Sequence, residues 1–172
     1  MTQAVNFSRR RLFKGKIKAD NALRLPWVIS EQHFLEHCEQ CGKCVDACET
    51  SIIKPDIDGF PKVDFSSNEC TFCNACIDVC PQPLFKADKS DKPWQALVEI
   101  NDKCLAKNDI FCLSCQDACE PRAITFDIAS SSIPQPTLDT SLCTQCGACV
   151  STCPQDAVSV NQQIPVVEVE AI

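Results

Sequence analysis

The stretch that decides the fold is CTQCGACVSTCP at residues 143–154, where four cysteines follow the spacing C-x2-C-x2-C-x3-C. The same spacing is found in CEQCGKCVDACE at residues 38–49 and in CTFCNACIDVCP at residues 70–81. A further copy, CLAKNDIFCLSCQDACE at residues 104–120, has seven residues instead of two between its first two cysteines. Four copies of one pattern in 172 residues indicate an internal repeat.

The residues around the cysteines repeat as well. An apolar pair stands four and five residues after each fourth cysteine: Ile52-Ile53, Leu84-Phe85, Ala123-Ile124 and Ala157-Val158. Extended stretches precede the later groups, namely KVDF, QALVEI and PTLDT, and PDIDGFP and ASSSIPQP have the composition of turns. Each repeat is therefore predicted to form a strand, a cysteine loop, a short helix carrying the fourth cysteine, and a second strand.

The overall composition limits the class of protein. Sixteen cysteines in 172 residues imply either a disulfide framework or a metal protein. The net charge of −7 argues against a general nucleic-acid-binding protein, which would carry a basic surface. No uninterrupted apolar run approaches the roughly 18 residues of a membrane span, so no transmembrane segment is predicted.

The cysteine spacing favours iron–sulfur clusters over zinc and disulfides. One C-x2-C-x2-C loop can supply three thiolates to a cubane cluster, while the fourth cysteine ligates the other cluster of a pair. Structural zinc usually takes two C-x2-C knuckles with a longer spacer, which would leave a thiolate over in each group. The residue after the second cysteine lies in a tight loop, where Gly42, Asn74 and Gly147 suit a left-handed backbone and Leu113 does not.

The predicted metal ligands are all sixteen cysteines, and they fall into four groups. These are Cys38, Cys41, Cys44 and Cys48; Cys70, Cys73, Cys76 and Cys80; Cys104, Cys112, Cys115 and Cys119; and Cys143, Cys146, Cys149 and Cys153. No Ser-His-Asp or Cys-His arrangement and no glycine-rich phosphate loop stands out, so no catalytic residue is predicted and the chain is not expected to be an enzyme. His33 and His37 are predicted to lie on an exposed helix face that starts after Ser30, with a second metal site as the alternative.

These residues resemble the bacterial two-cluster ferredoxin family, whose C-x2-C-x2-C-x3-C-P signature is complete at Pro81 and Pro154. The resemblance implies an α+β fold with two tandem bacterial-ferredoxin-like (βαβ)2 modules organised around four [4Fe-4S] clusters. The expected division is a basic arm at 1–29, a module at 30–90 with groups one and two, a module at 91–160 with groups three and four, and a tail at 161–172.

The family's crossed ligation implies which cysteines share a cluster. Each cluster would take three cysteines from one group and the fourth cysteine from the other group of its module. The four expected sets are Cys38, Cys41, Cys44 and Cys80; Cys70, Cys73, Cys76 and Cys48; Cys104, Cys112, Cys115 and Cys153; and Cys143, Cys146, Cys149 and Cys119. Pairing of group one with four and of group two with three is the alternative, and the similar gaps between groups leave the choice open.

The amino-terminal stretch SRRRLFKGK at residues 8–16 is similar to a twin-arginine export signal. An export signal also needs an apolar stretch and a small-residue cleavage site, and Lys16, Lys18, Asp20 and Arg24 interrupt any such stretch. A cytoplasmic location is therefore predicted. The arm is either a solvated terminus or a docking arm for a partner protein or an anionic membrane surface; its basic residues are Arg9, Arg10, Arg11, Lys14, Lys16 and Lys18.

The basic arm, PW at 26–27, FLEHC at 34–38 and the irregular third group with CQDACEP together resemble the NapF-type family of ferredoxin-type proteins. This resemblance implies a cytoplasmic accessory protein of the periplasmic nitrate reductase system. The implied partner is the precursor of the catalytic subunit, and the implied role is its maturation before export, through cluster insertion or a redox step. The alternatives are an electron-transfer subunit of a respiratory oxidoreductase and a free polyferredoxin.

Overall fold

The computed structural model describes residues 22–127 and 133–163. Within these ranges the α-helices are α1 (Glu31–His37), α2 (Lys43–Asp46), α3 (Ala75–Asp78), α4 (Ser114–Asp117) and α5 (Ala148–Ser151), with a 3-10 helix at Ala106–Asn108. The strands are β1 (Ile53–Pro55), β2 (Pro61–Val63), β3 (Ala96–Ile100), β4 (Ile124–Phe126), β5 (Pro136–Leu138) and β6 (Val158–Gln162). None of the helices in these ranges combines the length and the apolar character that a membrane crossing requires. The basic residues of the arm and the PVVEVEAI tail lie outside the described residues, as does part of ASSSIPQP.

Strands pair as three antiparallel two-stranded sheets in the described part of the chain, β1 with β2, β3 with β6, and β4 with β5. The predicted PDIDGFP turn joins β1 to β2, where Asp56 Oδ1 accepts the backbone N–H groups of Asp58 and Phe60, both at 2.9 Å. Gly59 has φ +89, a left-handed conformation that suits glycine. The local turn chemistry thus sets the Ile53–Val63 register of this hairpin.

The two halves of the chain repeat one layout with different completeness. In the second half, β3 and β6 form an outer pair of five residues each, while β4 and β5 form the inner pair. In the first half the inner pair is β1–β2, and the outer pair is reduced to a single bridge between Val28 and Phe85. Pro26 and Pro83 flank this bridge, and since proline has no N–H to donate, the ladder does not extend past them.

The short helices differ from the prediction in which cysteine they carry. Helices α2 to α5 carry the third cysteine of each group: Cys44, Cys76, Cys115 and Cys149. Each helix has four residues, and its capping residue, such as Ala47 or Val79, comes just before the fourth cysteine. The prediction that the helix carries the fourth cysteine was therefore wrong. The fourth cysteine follows the helix because a single helical turn is completed before the chain reaches it.

Two hydrophobic cores correspond to the two halves. The first includes Leu25, Phe34, Ile52 and Leu84, and the second includes Ile124, Ala157 and Val158 at its centre. The apolar pairs noted in the sequence thus supply core residues in both halves.

The amino-terminal boundary of the first module differs from the predicted one. Leu23, Leu25 and Trp27 are buried, although the basic arm was expected to extend to residue 29. Leu23 and Leu25 pack into the first core, and Val28 packs against it, so the packed part of the chain includes residues 22–28. Trp94, beyond the predicted end of the first module at residue 90, also packs into the first core.

Helix α1 begins as the sequence predicts. Ser30 is its N-cap, and the Ser30 hydroxyl accepts the backbone N–H of His33 at 3.1 Å. We expect Ser30→Ala to lower the free energy of unfolding by about 1 kcal/mol, because one helix N–H loses its acceptor. Anaerobic guanidinium denaturation measures this, and Ser30→Thr is the control that keeps a hydroxyl. Equal losses in both variants would contradict the capping role.

Candidate metal centres

The cysteines line cavities in crossed sets. One cavity is lined by Cys38, Cys41, Cys44 and Cys80, a second by Cys70, Cys73, Cys76 and Cys48, and a third by Cys104, Cys112, Cys115 and Cys153. Groups one and two therefore share two cavities, each with three cysteines from one group and the fourth from the other. Within the described ranges, no three His, Cys, Asp or Glu side chains are close enough to hold one metal ion.

The remaining four cysteines also belong together. Burial raises the pKa of Cys143, and the nearby thiols of Cys119 and Cys146 raise it further. Burial raises the pKa of Cys149 to about 12, with further contributions from the thiols of Cys146, Cys143, Cys115 and Cys119. Cys119 of the third group is therefore close to Cys143 and Cys149 of the fourth group, as a crossed arrangement in the second half requires.

The backbone at the start of each short helix follows residue type. Gly42, Asn74 and Gly147 are left-handed, with φ of 76°, 64° and 87°. Leu113 instead has φ −124°. A β-carbon makes the left-handed conformation costly, so the irregular third loop enters its helix by a different path. The sequence prediction for these four positions is thus matched by the observed backbone.

Backbone N–H groups face the first cysteine of each regular group. Burial raises the pKa of Cys38, Cys70 and Cys143, while the nearby backbone N–H groups of Gln40, Phe72 and Gln145 oppose this shift. These three residues are left-handed, with φ of 55°, 55° and 63°. The turn therefore brings a backbone N–H close to the sulfur, and N–H groups near ligand sulfurs help set cluster potential. Sequence reasoning missed these positions, since glutamine and phenylalanine do not indicate a left-handed backbone.

The cysteines in these cavities can be deprotonated to thiolates near neutral pH only when a cation compensates their negative charge. Burial raises the pKa of Cys44, Cys70 and Cys115 to about 11, and that of Cys76 to about 12. Neighbouring thiols raise these values further, because several negative charges would otherwise share one apolar space. Four thiols around an apolar space match the donor set of an iron–sulfur cluster, whose iron supplies the positive charge.

The insertion in the third group folds into a short, hydrogen-bonded 3-10 turn. Residues Ala106–Asn108 form the 3-10 helix, and Asn108 Nδ2 donates to the carbonyl oxygens of Asp102 and Cys104 at 2.7 and 2.8 Å. Gln135 Nε2 donates to Ala106 O at 2.7 Å and ties the insertion to the segment before β5. The five additional residues are thus absorbed locally, and Cys104 and Cys112 still reach one cavity.

The two histidines and the two tryptophans make contacts within the fold. His33 Nε2 lies 2.9 Å from Pro83 O, and His37 Nδ1 lies 2.9 Å from His33 O. Trp27 and Trp94 contact the ring of Phe72 at centroid distances of 6.1 and 6.2 Å. Phe72 lines the second cavity, so both tryptophans pack against a residue that lines a cysteine set.

Comparison with known proteins agrees with this geometry. Residues 37–83 and 110–157 match the 4Fe-4S dicluster domain. The chain is 43% identical over 156 residues to the ferredoxin-type protein NapF of Escherichia coli K12, covering 90% of this chain and 94% of that protein. It is 36% identical over 167 residues to the ferredoxin-type protein NapF of Haemophilus influenzae, covering 91% and 94%. The chain therefore belongs to the 4Fe-4S dicluster domain family and, within it, to the ferredoxin-type NapF proteins.

Proposed function

We propose that each of the four cysteine sets holds one [4Fe-4S] cluster. The crossed lining of three cavities and the mutual influence of the thiols in the fourth set support this assignment. The proposed ligands are Cys38, Cys41, Cys44 and Cys80; Cys70, Cys73, Cys76 and Cys48; Cys104, Cys112, Cys115 and Cys153; and Cys143, Cys146, Cys149 and Cys119. Iron and inorganic sulfide analysis of the anaerobically purified protein tests the number of clusters.

A bound cluster of this type supplies one-electron transfer. The chain's own residues hold the cluster by four thiolates and keep water away through their apolar neighbours. The N–H groups of Gln40, Phe72 and Gln145 favour the charged form of the first thiolate in three sets. With no acid–base pair and no nucleophile assigned, the proposed role is that of a non-catalytic accessory protein.

Crossed ligation predicts the effect of replacing a fourth cysteine. We expect Cys80→Ser to change the same EPR signal of the reduced protein as Cys41→Ser, because both residues line the first cavity. Cys73→Ser is the matched reference for the second cavity, and both Cys41 and Cys73 are exposed. If Cys80→Ser reproduced the change seen in Cys73→Ser, ligation would not be crossed.

We further propose that the protein assists maturation of the catalytic subunit of the periplasmic nitrate reductase in the cytoplasm, before that subunit is exported. The observation that carries this proposal is the similarity to ferredoxin-type NapF proteins along 90% of the chain. The proposed step is cluster insertion or a redox reaction on the precursor. The basic arm is the proposed docking segment, with contact to an anionic membrane surface as its alternative use; its charges are Arg9, Arg10, Arg11, Lys14, Lys16 and Lys18.

An anaerobic pull-down from cytoplasm tests the maturation role. The bait is the cluster-loaded protein, and the prey is the nitrate reductase catalytic subunit in precursor and mature forms. We expect capture of the precursor before its cofactors are inserted, and weaker capture by a bait without residues 1–21. A bait with the six basic arm residues replaced by glutamine keeps the length of the arm and tests its charge separately.

The second candidate function is an electron-transfer subunit of a respiratory oxidoreductase. A direct contact between cysteine loops of the two modules favours it, because the backbone N–H of Cys70 donates to the carbonyl oxygen of Cys146 at 2.8 Å. This candidate predicts co-purification with a mature quinol or flavin oxidoreductase and no capture of the precursor. A free polyferredoxin would capture neither, and its electron transfer would not change when the arm is removed.

A further inference from the structure

Two of the cysteine loops meet where the two modules join. The backbone N–H of Cys70 donates to the carbonyl oxygen of Cys146 at 2.8 Å, so a ligand loop of the first module is hydrogen-bonded to one of the second. Cys70 belongs to the second set and Cys146 to the fourth. These two sets are therefore neighbours across the junction, although their cysteine groups are separated by the whole third repeat.

The ring of Phe65 packs against the backbone of Gly147 at this junction. A β-carbon on Gly147 would lie 2.2 Å from Cδ1 and Cγ of the Phe65 ring, so only glycine permits the approach. The ring of Phe65 meets Trp94 edge-on, with centroids 5.7 Å apart, and both residues are buried. Trp94 Nε1 in turn donates to Arg24 O at 2.7 Å. Phe65 is therefore packed between Gly147 and Trp94.

A second contact holds the same loop from its other side. Gln145, which is 8% exposed, donates from Nε2 to Ala96 O at 2.6 Å. Ala96 packs into the first core and begins strand β3. The residues on both sides of Cys146 are thus fixed to the first core, which leaves the relative position of the two loops little freedom.

We infer that the Cys70–Cys146 and Phe65–Gly147 contacts form the electron-transfer junction between the two modules, with Phe65 as its positioning residue. The inference rests on the proposed clusters. The inferred junction places the four cysteine sets in a spatial series: first, second, fourth and third. One electron passes along this series, with no bond made or broken and no proton moved, from a low-potential one-electron reductant, which is oxidised, to the oxidised cluster at the other end, which is reduced. Because tunnelling falls off steeply with distance, a direct contact between ligand loops of the two modules favours transfer at this point.

The test compares Gly147→Ala with Gly42→Ala. Both positions are left-handed, with φ +87 and +76, so alanine introduces similar backbone strain at each. Only the alanine at 147 meets an obstacle, since nothing lies within 4 Å of a β-carbon at 42. Spin–spin broadening in the EPR spectrum of the dithionite-reduced protein reports the coupling between clusters. Amide hydrogen exchange of the peptide containing Cys70 reports the hydrogen bond independently of cluster redox state.

We expect Gly147→Ala to remove the part of the broadening that arises between modules, and to speed exchange at Cys70 about fivefold, as the loss of one hydrogen bond would. Gly42→Ala should keep both signals. The double variant Phe65→Leu/Gly147→Ala, in which a flexible side chain can yield to the new methyl, should recover both. It also provides the test if Gly147→Ala alone does not fold.

Wild-type broadening and exchange in Gly147→Ala would overturn the junction, as would equal losses in Gly42→Ala. A double variant without recovery would remove Phe65 from its positioning role. Iron and sulfide analysis separates this result from failure of the proposed cofactors. Fewer than four clusters in the wild type would defeat the cofactor proposal, whereas a full set with no effect at the junction would defeat only this inference.

Discussion

Removing iron with a chelator under anaerobic conditions is expected to abolish the cooperative unfolding transition of the protein. The described sheets have only two strands each, and helices α2 to α5 have four residues each. Such elements are marginal alone, because isolated hairpins and single helical turns do not offset their entropy of ordering. Metal binding and folding are coupled when a small core lacks other support.

The second module should lose more structure than the first. Among the residues that the structure describes, its core contains no buried aromatic residue other than Phe126 and includes Cys104, Cys115 and Cys149. The first core has Phe34, Phe60, Phe65 and Trp94 to pack against one another.

Amide exchange should therefore reach unfolded rates in the β3–β6 pair before it does in β1–β2. Reconstitution with iron and sulfide serves as the control and should restore protection. An iron-free chain that keeps protected β3 and β6 amides would show that ligand binding is not what folds this module.

Replacing Arg24 by methionine is expected to lower the free energy of unfolding by about 3–5 kcal/mol, since it leaves a buried carboxylate without its partner. Arg24 Nη1 lies 2.7 Å from Asp56 Oδ2, and the two side chains are only 4% and 2% exposed. Arg24 Nε also donates to Glu31 at 3.0 Å, and the guanidinium lies over the rings of Phe34 and Phe60. Burial alone would raise the pKa of Asp56, but the hydrogen bond from Arg24 helps to hold that pKa below its usual range.

An exposed ion pair provides the control. Lys54 lies 2.9 Å from Asp64, with the two side chains 43% and 34% exposed. Lys54→Met should lower the free energy of unfolding by about 1 kcal/mol or less, because water already screens this pair. The double variant Arg24→Met/Asp56→Asn should recover part of the loss by removing the buried charge. Equal effects of Arg24→Met and Lys54→Met in anaerobic denaturation would contradict a structural role for the buried pair.

Arg24 also illustrates the limit of reading charge from sequence alone. In the sequence it interrupts an apolar stretch and so argues against an export signal. In the folded protein it is a buried cation that joins the amino-terminal segment to the β1–β2 turn through Asp56. No local pattern marks it, because its partner is 32 residues away and the contact exists only once the hairpin has formed.

The backbone conformation at the start of each short helix was predictable, because it depends on the residue type at that position. Left-handed backbone at Gly42, Asn74 and Gly147, and its absence at Leu113, follow residue type, because glycine and asparagine adopt this conformation more readily than leucine does. The apolar pairs after the fourth cysteines are part of the repeat, and all of their residues except Phe85 are buried. The placement of the fourth cysteine on the helix was wrong, because the end of a single helical turn depends on capping, which the spacing does not report.

Which cysteine groups share a cavity could not be read from the sequence, because it depends on distances in the folded chain. Gaps of similar length between the groups allow group one to pair with group two or with group four at similar cost in loop closure, which varies only slowly with loop length. In the folded chain the cavities join groups one and two and groups three and four, because the β1–β2 and β4–β5 hairpins bring consecutive groups together.

The sequence by itself determined the repeated unit, the kind of ligand and the local backbone of the loops, since these depend on residue type and short spacing. Only the tertiary structure decided which loops touch across the modules and which charge is buried. Those contacts join residues far apart in the chain, such as Cys70 with Cys146 and Phe65 with Gly147. They form when the two cores pack together, a step that no pattern within one repeat encodes.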